Sequence, residues 1–173
     1  MATTDTSFER ALDELGVSVT RAESDTVREQ IEETAIAPAI GVPLAETFGD
    51  TAFSLAETSV EVDPTPATLR DATTGVTGAQ LGIADYGTLV LSLTERASEL
   101  VSLFVERHVA VVRAADVVGE MDAAIEELDA EFSETRGSAI LATGPSATAD
   151  MGALVKGAHG PKEVHVVLVE EGE

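Results

Sequence analysis

The segment from residue 140 to residue 169, ILATGPSATADMGALVKGAHGPKEVHVVLV, constrains the fold of this chain more than any other stretch. It sets two polar turns against apolar runs. The run at 163–169 is rich in β-branched residues, which favour strands, and we expect it in the interior of a sheet. Residues 138–141 indicate a second, shorter buried strand. The chain is therefore expected to build its core around buried strands that begin or end at polar turns.

The first turn, TGPS at residues 143–146, ends the preceding strand with glycine and proline. Ser146 or Thr148 can then cap a helix that has Asp150 in its first turn. A helix start offers free backbone N–H groups, and the hydroxyls of Thr143, Ser146 and Thr148 would lie beside them. Such a turn is suited to hold a phosphate or a carboxylate. In the alternative interpretation, Ser146 and Thr148 only cap the helix.

The second turn, HGPK at residues 159–162, carries one of the three histidines of the chain. A histidine between glycine and proline is poorly placed to fill a core. His159 is therefore a candidate for ligand contact or acid–base chemistry, and otherwise it orders the turn. His165 lies inside the predicted strand and is more simply a buried, hydrogen-bonded histidine. Lys162 can offer positive charge to an anionic ligand.

The first part of the chain alternates helical and strand patterns. Apolar periodicity predicts a helix at 7–15 that ends at Gly16, and a second helix from about 27 to 34 capped by Ser24 or Asp25. Strands are predicted at 17–21 and 35–40, with weaker signals at 53–56 and 60–62, and a brief helix at 69–73. Because strand, helix and strand at this spacing favour a right-handed crossover, we expect the strands that flank the second helix to pair in parallel.

The second part of the chain predicts a hairpin, further strands and one long helix. Strands at 76–84 and 88–93 are joined by a turn in which Gly87 takes a positive φ. Tight turns and close approach of strands account for this glycine and for those at 75, 78 and 82. Further strands are predicted at 100–104 and 109–112, followed by a helix from Asp116 to about residue 132.

This order of elements predicts an α/β fold. We expect an open, mainly parallel sheet with flanking helices and an antiparallel hairpin near residues 76–93. In such sheets the ligand crevice lies at the carboxyl ends of the strands, and we expect it there.

The charge balance excludes two classes of partner. The chain has 173 residues, a length expected to form one domain over residues 1–173, and 32 acidic against 10 basic residues give a net charge of -22. This field repels phosphate backbones and anionic lipid, so neither nucleic acid nor a membrane is an expected partner. A halophilic cytosol would explain so acidic and lysine-poor a chain, and an acidic mesophile is the alternative.

Cysteine is absent from the chain, which excludes disulfides, a catalytic thiol and thiolate ligation of an iron–sulfur cluster by these residues. We therefore expect no cofactor in this chain. The N-terminal stretch lacks the basic start and apolar core of a signal peptide, and no apolar run approaches the roughly 20 residues that span a bilayer. The sequence predicts a soluble, cytoplasmic protein.

Several further side chains could contribute to chemistry. Asp85 either forms the turn at 85–87 or presents a carboxylate to the same crevice, and Thr77 is a second candidate near it. A metal site could combine His159 and His165 with Asp150 or Glu163, although the histidine spacing matches no recognised ligand pair. The glycine-rich phosphate loop and the common hydrolase and zinc-protease motifs are missing from the sequence.

Two blocks of the sequence resemble the signatures of the LUD domain family, in which the lactate-utilization C proteins are found. The closing block resembles G-P-S-x-T-A-D, a small linker and H-G-P-[KR]-E-hydrophobic-H-V. The residues on that pattern are Gly144, Pro145, Ser146, Thr148, Ala149, Asp150, His159, Gly160, Pro161, Lys162, Glu163 and His165. The earlier block resembles G-V-T-x-A-x-x-G-I-A-[DE]-x-G-T, which corresponds to residues 75–79 and 82–88. The resemblance covers about the last hundred residues well and the first seventy only loosely.

The resemblance implies a fold and a function. The family shares its fold with ribose-phosphate isomerase, glucosamine-phosphate isomerase and the CoA transferases. It implies an accessory, clusterless protein of L-lactate oxidation to pyruvate that acts with iron–sulfur partner proteins and binds a small carboxylate, phosphate or acyl ligand. The expected ligand-binding residues are Thr77, Asp85, Thr88, Thr143, Gly144, Ser146, Thr148, Asp150, His159, Lys162 and His165. Where the family usually has arginine after the serine, this chain has Ala147, so a fixed cation is missing there.

Two other functions stay open at this stage. The chain could be a stand-alone enzyme of the isomerase or CoA-transferase superfamily, with Asp85, Asp150 or Glu163 as base or nucleophile and His159 assisting. It could also be a purely structural assembly module whose two turns form a protein interface. The sequence leaves open whether the chain catalyses a reaction and whether it forms a homo-oligomer.

Overall fold

The computed structural model describes residues 3–94, 96, 98–150, 152–157 and 159–171. Six α-helices and twelve strands are assigned in these ranges. The helices are α1 (Thr4–Glu14), α2 (Val27–Thr34), α3 (Leu44–Phe48), α4 (Pro66–Asp71), α5 (Ser98–Leu103) and α6 (Met121–Thr135). The strands are β1 (Ser18–Glu23), β2 (Ala39–Gly41), β3 (Glu61–Val62), β4 (Thr74–Gly78), β5 (Leu81–Ile83), β6 (Thr88–Ser92), β7 (Arg107–Arg113), β8 (Val117–Val118), β9 (Ala139–Thr143), β10 (Ala147–Asp150), β11 (Ala153–Lys156) and β12 (Glu163–Glu170).

The main sheet has six parallel strands in the order β1-β12-β7-β4-β2-β3. β12 lies between β1 and β7, and its apolar side chains are buried on both faces. Val164, Val166 and Leu168 pack on one face, while Val167 and Val169 pack on the other. A strand buried on both faces needs a continuous apolar run. The interior strand predicted at 163–169 is therefore confirmed.

Helices cover one face of the main sheet, and helices together with a second sheet cover the other. α2 and α3 pack against the face that carries Val76, Val109 and Val167. On the opposite face lie α1, α5 and a four-stranded sheet in the order β8-β5-β6-β9. α6 packs its Ala124 and Leu128 against the far side of this second sheet. The predicted α/β class with a mainly parallel sheet and flanking helices is confirmed.

The hairpin of the predicted fold belongs to the second sheet. β5 and β6 pair antiparallel, and Gly87 in their connection has a φ of +62°, as expected. The strand predicted at 76–84 is divided in two, because β4 joins the main sheet and β5 joins the second one. The expected pairing of β1 with β2 is wrong, since three strands separate them. The segment 53–56 contains turns instead of a strand.

The strand predicted at 100–104 is a helix, α5. Its small residues Ser98 and Ser102 are buried together with Val101, whereas Leu103 and Phe104 face outward. The helix approaches β4 so closely that a Cβ at Gly75 would lie 2.0 Å from the carbonyl oxygen of Val101. The apolar run misled the prediction because this helix packs through its small side chains and exposes its large ones.

The helix predicted after Ser146 is absent, and a hairpin takes its place. β10 and β11 pair antiparallel over residues 147–156, with Gly152 at a φ of +80° in the connection. Ser146 therefore caps no helix, and the anion site expected from a helix start does not form in that way. A glycine with positive φ between two short strands is typical of a hairpin loop.

α6 begins later than predicted. Asp116 lies in a short 3-10 turn and accepts a hydrogen bond from Arg113 Nε at 2.6 Å, while Val117 and Val118 form β8. The helix starts at Met121 with Glu120 as its N-cap residue. Within the described ranges, no helix combines the length and apolarity needed to cross a membrane.

The contact between α5 and β4 generates the first prediction. Gly75→Ala should lower the free energy of unfolding by about 1–3 kcal/mol or more, because the new Cβ meets backbone atoms that cannot rotate away. Gly119→Ala is the matched control, since an added Cβ there meets nothing within 4 Å. Urea unfolding of both variants measures the difference. Equal stability of the two variants would show that α5 does not pack this tightly.

Candidate functional site

A cavity of about 340 Å³ lies between the main sheet and the second sheet. Its walls come from α1, α5, both polar turns and four strands of the two sheets, β6, β7, β9 and β12. The lining residues are Leu12, Val17, Gly87, Leu89, Leu91, Ser102, Leu103, His108, Ile140, Leu141, Ala142, Thr143, Gly144, Pro145, Ser146, Ala147, His159, Gly160, Pro161 and Val164. Apolar side chains form most of this wall. Polar groups gather at the two turns and at His108.

The two sequence blocks meet at this cavity. Thr88 of the first block and Thr143, which directly precedes the second block, lie opposite each other on β6 and β9, and their Oγ1 atoms are 2.7 Å apart. Gly87 and Gly144 both lie against Leu15, at the end of α1. Segments that are distant in the sequence thus form neighbouring parts of one wall.

Backbone hydrogen bonds join the two polar turns to each other. The Ser146 N–H donates to the Pro161 carbonyl at 2.8 Å, and the Gly157 N–H donates to the Ser146 carbonyl at 2.9 Å. The Lys162 N–H donates to the Glu106 carbonyl at 2.8 Å, which ties the second turn to the start of β7. The mouth of the cavity is therefore held by backbone contacts that do not depend on side chains.

His108 is, with Ser102, a buried polar residue of the cavity wall, and it was not among the predicted site residues. Its side chain is 2% exposed, and its Nε2 lies 2.8 Å from Thr77 Oγ1. Burial lowers the pKa of His108 to about 4, so the imidazole is neutral at physiological pH. A neutral imidazole offers a hydrogen bond but no charge. Thr77, which was predicted to bind ligand, lies behind this ring and holds it.

The cavity lies at the amino ends of β7 and β12, not at the carboxyl ends where the ligand crevice was expected. His108 and Val164 are each the second residue of their strand, and His159 to Pro161 precede β12. The second turn leads into a parallel strand instead of following one, which places it at the amino edge of the sheet. The first turn follows β9, which belongs to the second sheet.

Six predicted site residues with described side chains do not line the cavity: Thr77, Asp85, Thr88, Lys162, Glu163 and His165. Asp85 is exposed, and its backbone N–H donates to the Gly119 carbonyl at 3.1 Å. The Glu163 carboxylate accepts a hydrogen bond from Arg107 Nη1 at 2.6 Å. His165 lies on the opposite face of β12 from Val164, where its Nε2 is 2.8 Å from Thr20 Oγ1. Burial, and then the charge of Arg107, lower the pKa of His165.

Four of the predicted residues lie at the mouth of the cavity. Thr143, Gly144, Ser146 and His159 line it, while the exposed Lys162 lines a neighbouring groove. The side chains of Thr148 and Asp150 lie outside the described part of the structure. Among the described residues, no group of three histidine or carboxylate side chains converges as metal ligands.

The electrostatics of the cavity differ from those of the chain as a whole. Although the net charge is -22, none of the described residues that line the cavity carries a carboxylate. Ala147 leaves the position after the serine without a cation, but Lys156 lies directly opposite Ala147 on β11. Residues opposite each other in an antiparallel pair have Cβ atoms about 4.5–5.5 Å apart. The mouth therefore combines a lining without carboxylates with a lysine nearby.

Comparisons with known proteins give a family and a fold. The LUD domain family matches residues 6–169. Lactate utilization protein C from Bacillus velezensis is 33% identical over 106 residues, which cover 59% of this chain and 44% of that protein. The protein of the same name from Deinococcus radiodurans is 31% identical over 96 residues, covering 54% and 45%. This chain thus spans less than half the length of these curated relatives. The crystal structure of a DUF162 family protein from D. radiodurans has a TM-score of 0.71 at 21% identity and covers 96% of both chains, which shows the same fold.

The burial of His108 generates a pH prediction. The unfolded chain binds a proton at this residue below about pH 6.5, whereas the folded chain does not until about pH 4. The contribution of His108 to stability is therefore fully present above pH 6.5 and is lost as the pH falls, by about 1.4 kcal/mol per pH unit within this window. His108→Gln should reduce the difference in unfolding free energy between pH 7 and pH 5. The exposed His159→Gln variant is the control. An unchanged difference in His108→Gln would contradict the buried neutral imidazole.

Proposed function

Because this chain belongs to the LUD domain family, we propose that it is an accessory, clusterless cytoplasmic component of L-lactate utilization that binds a small anionic ligand. The ligand would enter the cavity between the two sheets through the mouth formed by residues 143–146 and 159–161. The observation that carries this proposal is the cavity itself. Both sequence blocks contribute to its wall, and the described lining contains no carboxylate.

The walls of the cavity support a ligand with an apolar part and a charged end. Leu12, Leu91 and Val164 provide an apolar interior, and the polar groups stand at the turns and at His108. Binding sites commonly combine mostly apolar walls with a few placed polar groups. The neutral His108 would orient the ligand by a hydrogen bond, and Ser146 and His159 would contact its anionic end at the mouth.

The link to lactate rests on the curated relatives named lactate utilization protein C. This chain contains no cysteine, so it supplies no thiolate for an iron–sulfur cluster. Oxidation of lactate to pyruvate releases electrons that another protein must accept. We therefore assign the electron-transfer step to iron–sulfur partner proteins and give this chain a binding role beside them.

The placement of the carboxylates favours binding over catalysis by an acidic side chain. A base or nucleophile must reach the ligand within hydrogen-bonding distance. Asp85 does not line the cavity, and Glu163 is paired with Arg107. For either of these two described carboxylates to act as the base or nucleophile, its side chain would have to reorient toward the cavity.

Ligand binding can be tested by the melting temperature in molar KCl. L-lactate, pyruvate or inorganic phosphate should raise it, because a ligand that binds only the folded state stabilises that state. Ala142→Leu should abolish the shift, since Ala142 lines the cavity and a larger side chain would fill it. Ser146→Ala should reduce the shift.

The controls for this experiment come from the exposed face of α6. Ala130→Leu and Ser133→Ala make the same chemical changes at exposed positions and should keep the full shift. If no member of the panel raises the melting temperature of the wild-type protein, or if Ala142→Leu binds as well as Ala130→Leu, the cavity is not the ligand site.

The partner assignment can be tested separately. Pull-down with the tagged chain from lactate-grown cells should recover cysteine-rich proteins, with iron and acid-labile sulfide in the eluate. Cells grown without lactate are the control. Recovery of the chain alone from both cultures would contradict the assembly with iron–sulfur proteins.

A further inference from the structure

A second groove adjoins the mouth of the cavity. It is lined by Leu103, Phe104, Val105, Glu106, Lys156, Gly157, His159, Gly160 and Lys162. Leu103, His159 and Gly160 belong to the walls of both the groove and the cavity. The two spaces are therefore neighbours, and His159 stands where they meet.

The groove gathers an unusual share of the positive charge of the chain. Lys156 and Lys162 are the two lysines of a sequence that has 32 acidic residues. Both line this groove. They come from different segments, β11 and the turn before β12. Glu106 is the one carboxylate among the described residues of the groove, and its backbone carbonyl accepts a hydrogen bond from the Lys162 N–H.

The two lysines differ in their pairing from five of the eight arginines. Arg21, Arg28, Arg96, Arg107 and Arg113 each form an ion pair with at least one carboxylate. Among the described residues, neither Lys156 nor Lys162 has a carboxylate partner within 4 Å. Both lysines are exposed. Their ammonium groups are thus available to an anion from outside the chain.

The size of the cavity indicates a ligand larger than a small hydroxy acid. Its volume of about 340 Å³ is equivalent to that of about eleven water molecules at about 30 Å³ each. Lactate would leave much of this apolar space filled with water. Phe104, which is 69% exposed, and Leu103 extend the apolar surface from the cavity into the groove. An elongated ligand would cover this surface and reach the lysines.

We propose that the groove is an anion subsite continuous with the cavity, and that the ligand is an amphiphilic phosphate ester whose apolar chain enters the cavity while its phosphate lies between Lys156 and Lys162. This inference rests on the ligand site proposed above and specifies its chemical class. A phosphate fits because it carries about two negative charges and three acceptor oxygens, enough to accept from two ammonium groups at once.

Calorimetric titration with four probes tests the two halves of the ligand. Hexyl phosphate should bind at least about tenfold more tightly than 1-hexanol or inorganic phosphate, because only hexyl phosphate reaches both subsites. Hexanoate should fall between hexyl phosphate and 1-hexanol. The double variant Lys156→Gln/Lys162→Gln should weaken the binding of hexyl phosphate about tenfold or more and leave the affinity for 1-hexanol unchanged. Added KCl should weaken the binding of hexyl phosphate but not that of 1-hexanol.

The matched control is Arg28→Gln/Arg70→Gln, which removes the same total charge at exposed positions of α2 and α4. It should bind hexyl phosphate like the wild-type protein. An equal loss of affinity in both double variants would mean that only the overall charge of the chain matters. Equal affinity for hexyl phosphate and 1-hexanol would mean that there is no phosphate subsite. Either result overturns this inference.

If small anions still raise the melting temperature and Ala142→Leu still abolishes that effect, the proposed function survives such a failure. If none of the small anions or the four probes binds, both proposals fail.

Discussion

The position of β12 between β1 and β7 is the constraint on which the rest of the structure depends. Its side chains are buried on both faces, and its backbone pairs with both neighbours. Because the strand begins at Glu163, the turn before it must lie at the amino ends of β7 and β12. That turn carries His159, and its Pro161 carbonyl accepts a hydrogen bond from the Ser146 N–H. The mouth of the cavity is thus placed by the packing of a mostly apolar strand.

The packing of α5 on β4 explains why the region beside the cavity is apolar and open. Gly75, Ser98 and Ser102 let the helix backbone approach the sheet, so its larger side chains have no room beneath it. Leu103 and Phe104 consequently face the groove next to the two lysines. A close helix–sheet contact on one side of the helix and an exposed apolar surface on the other have the same physical origin.

Local patterns predicted much of the fold. The β-branched run at 163–169, the helix over 27–34 and the positive φ of Gly87 depend on neighbouring residues, and the structure confirms them. The helical state of 98–103 was missed because its inward face is small and polar. The hairpin at 147–156 was missed because the turn before it is held by Pro161, a residue distant in sequence. His108 was missed because its buried partner, Thr77, belongs to another strand. These features depend on which segments become neighbours, and periodicity carries no information on that.

The pairing of β1 has a consequence for how the chain reaches its final state. β1 is the edge strand of the main sheet and bonds to β12 alone, and their side-chain contact from Thr20 to His165 joins positions 145 residues apart. During synthesis β1 therefore has no partner strand until nearly the whole domain has emerged. The edge of β7 that pairs with β12 is unpaired for the same time. Such distant contacts slow folding and leave strand edges open to association. The strong negative charge of the chain would keep these incomplete molecules apart while they wait.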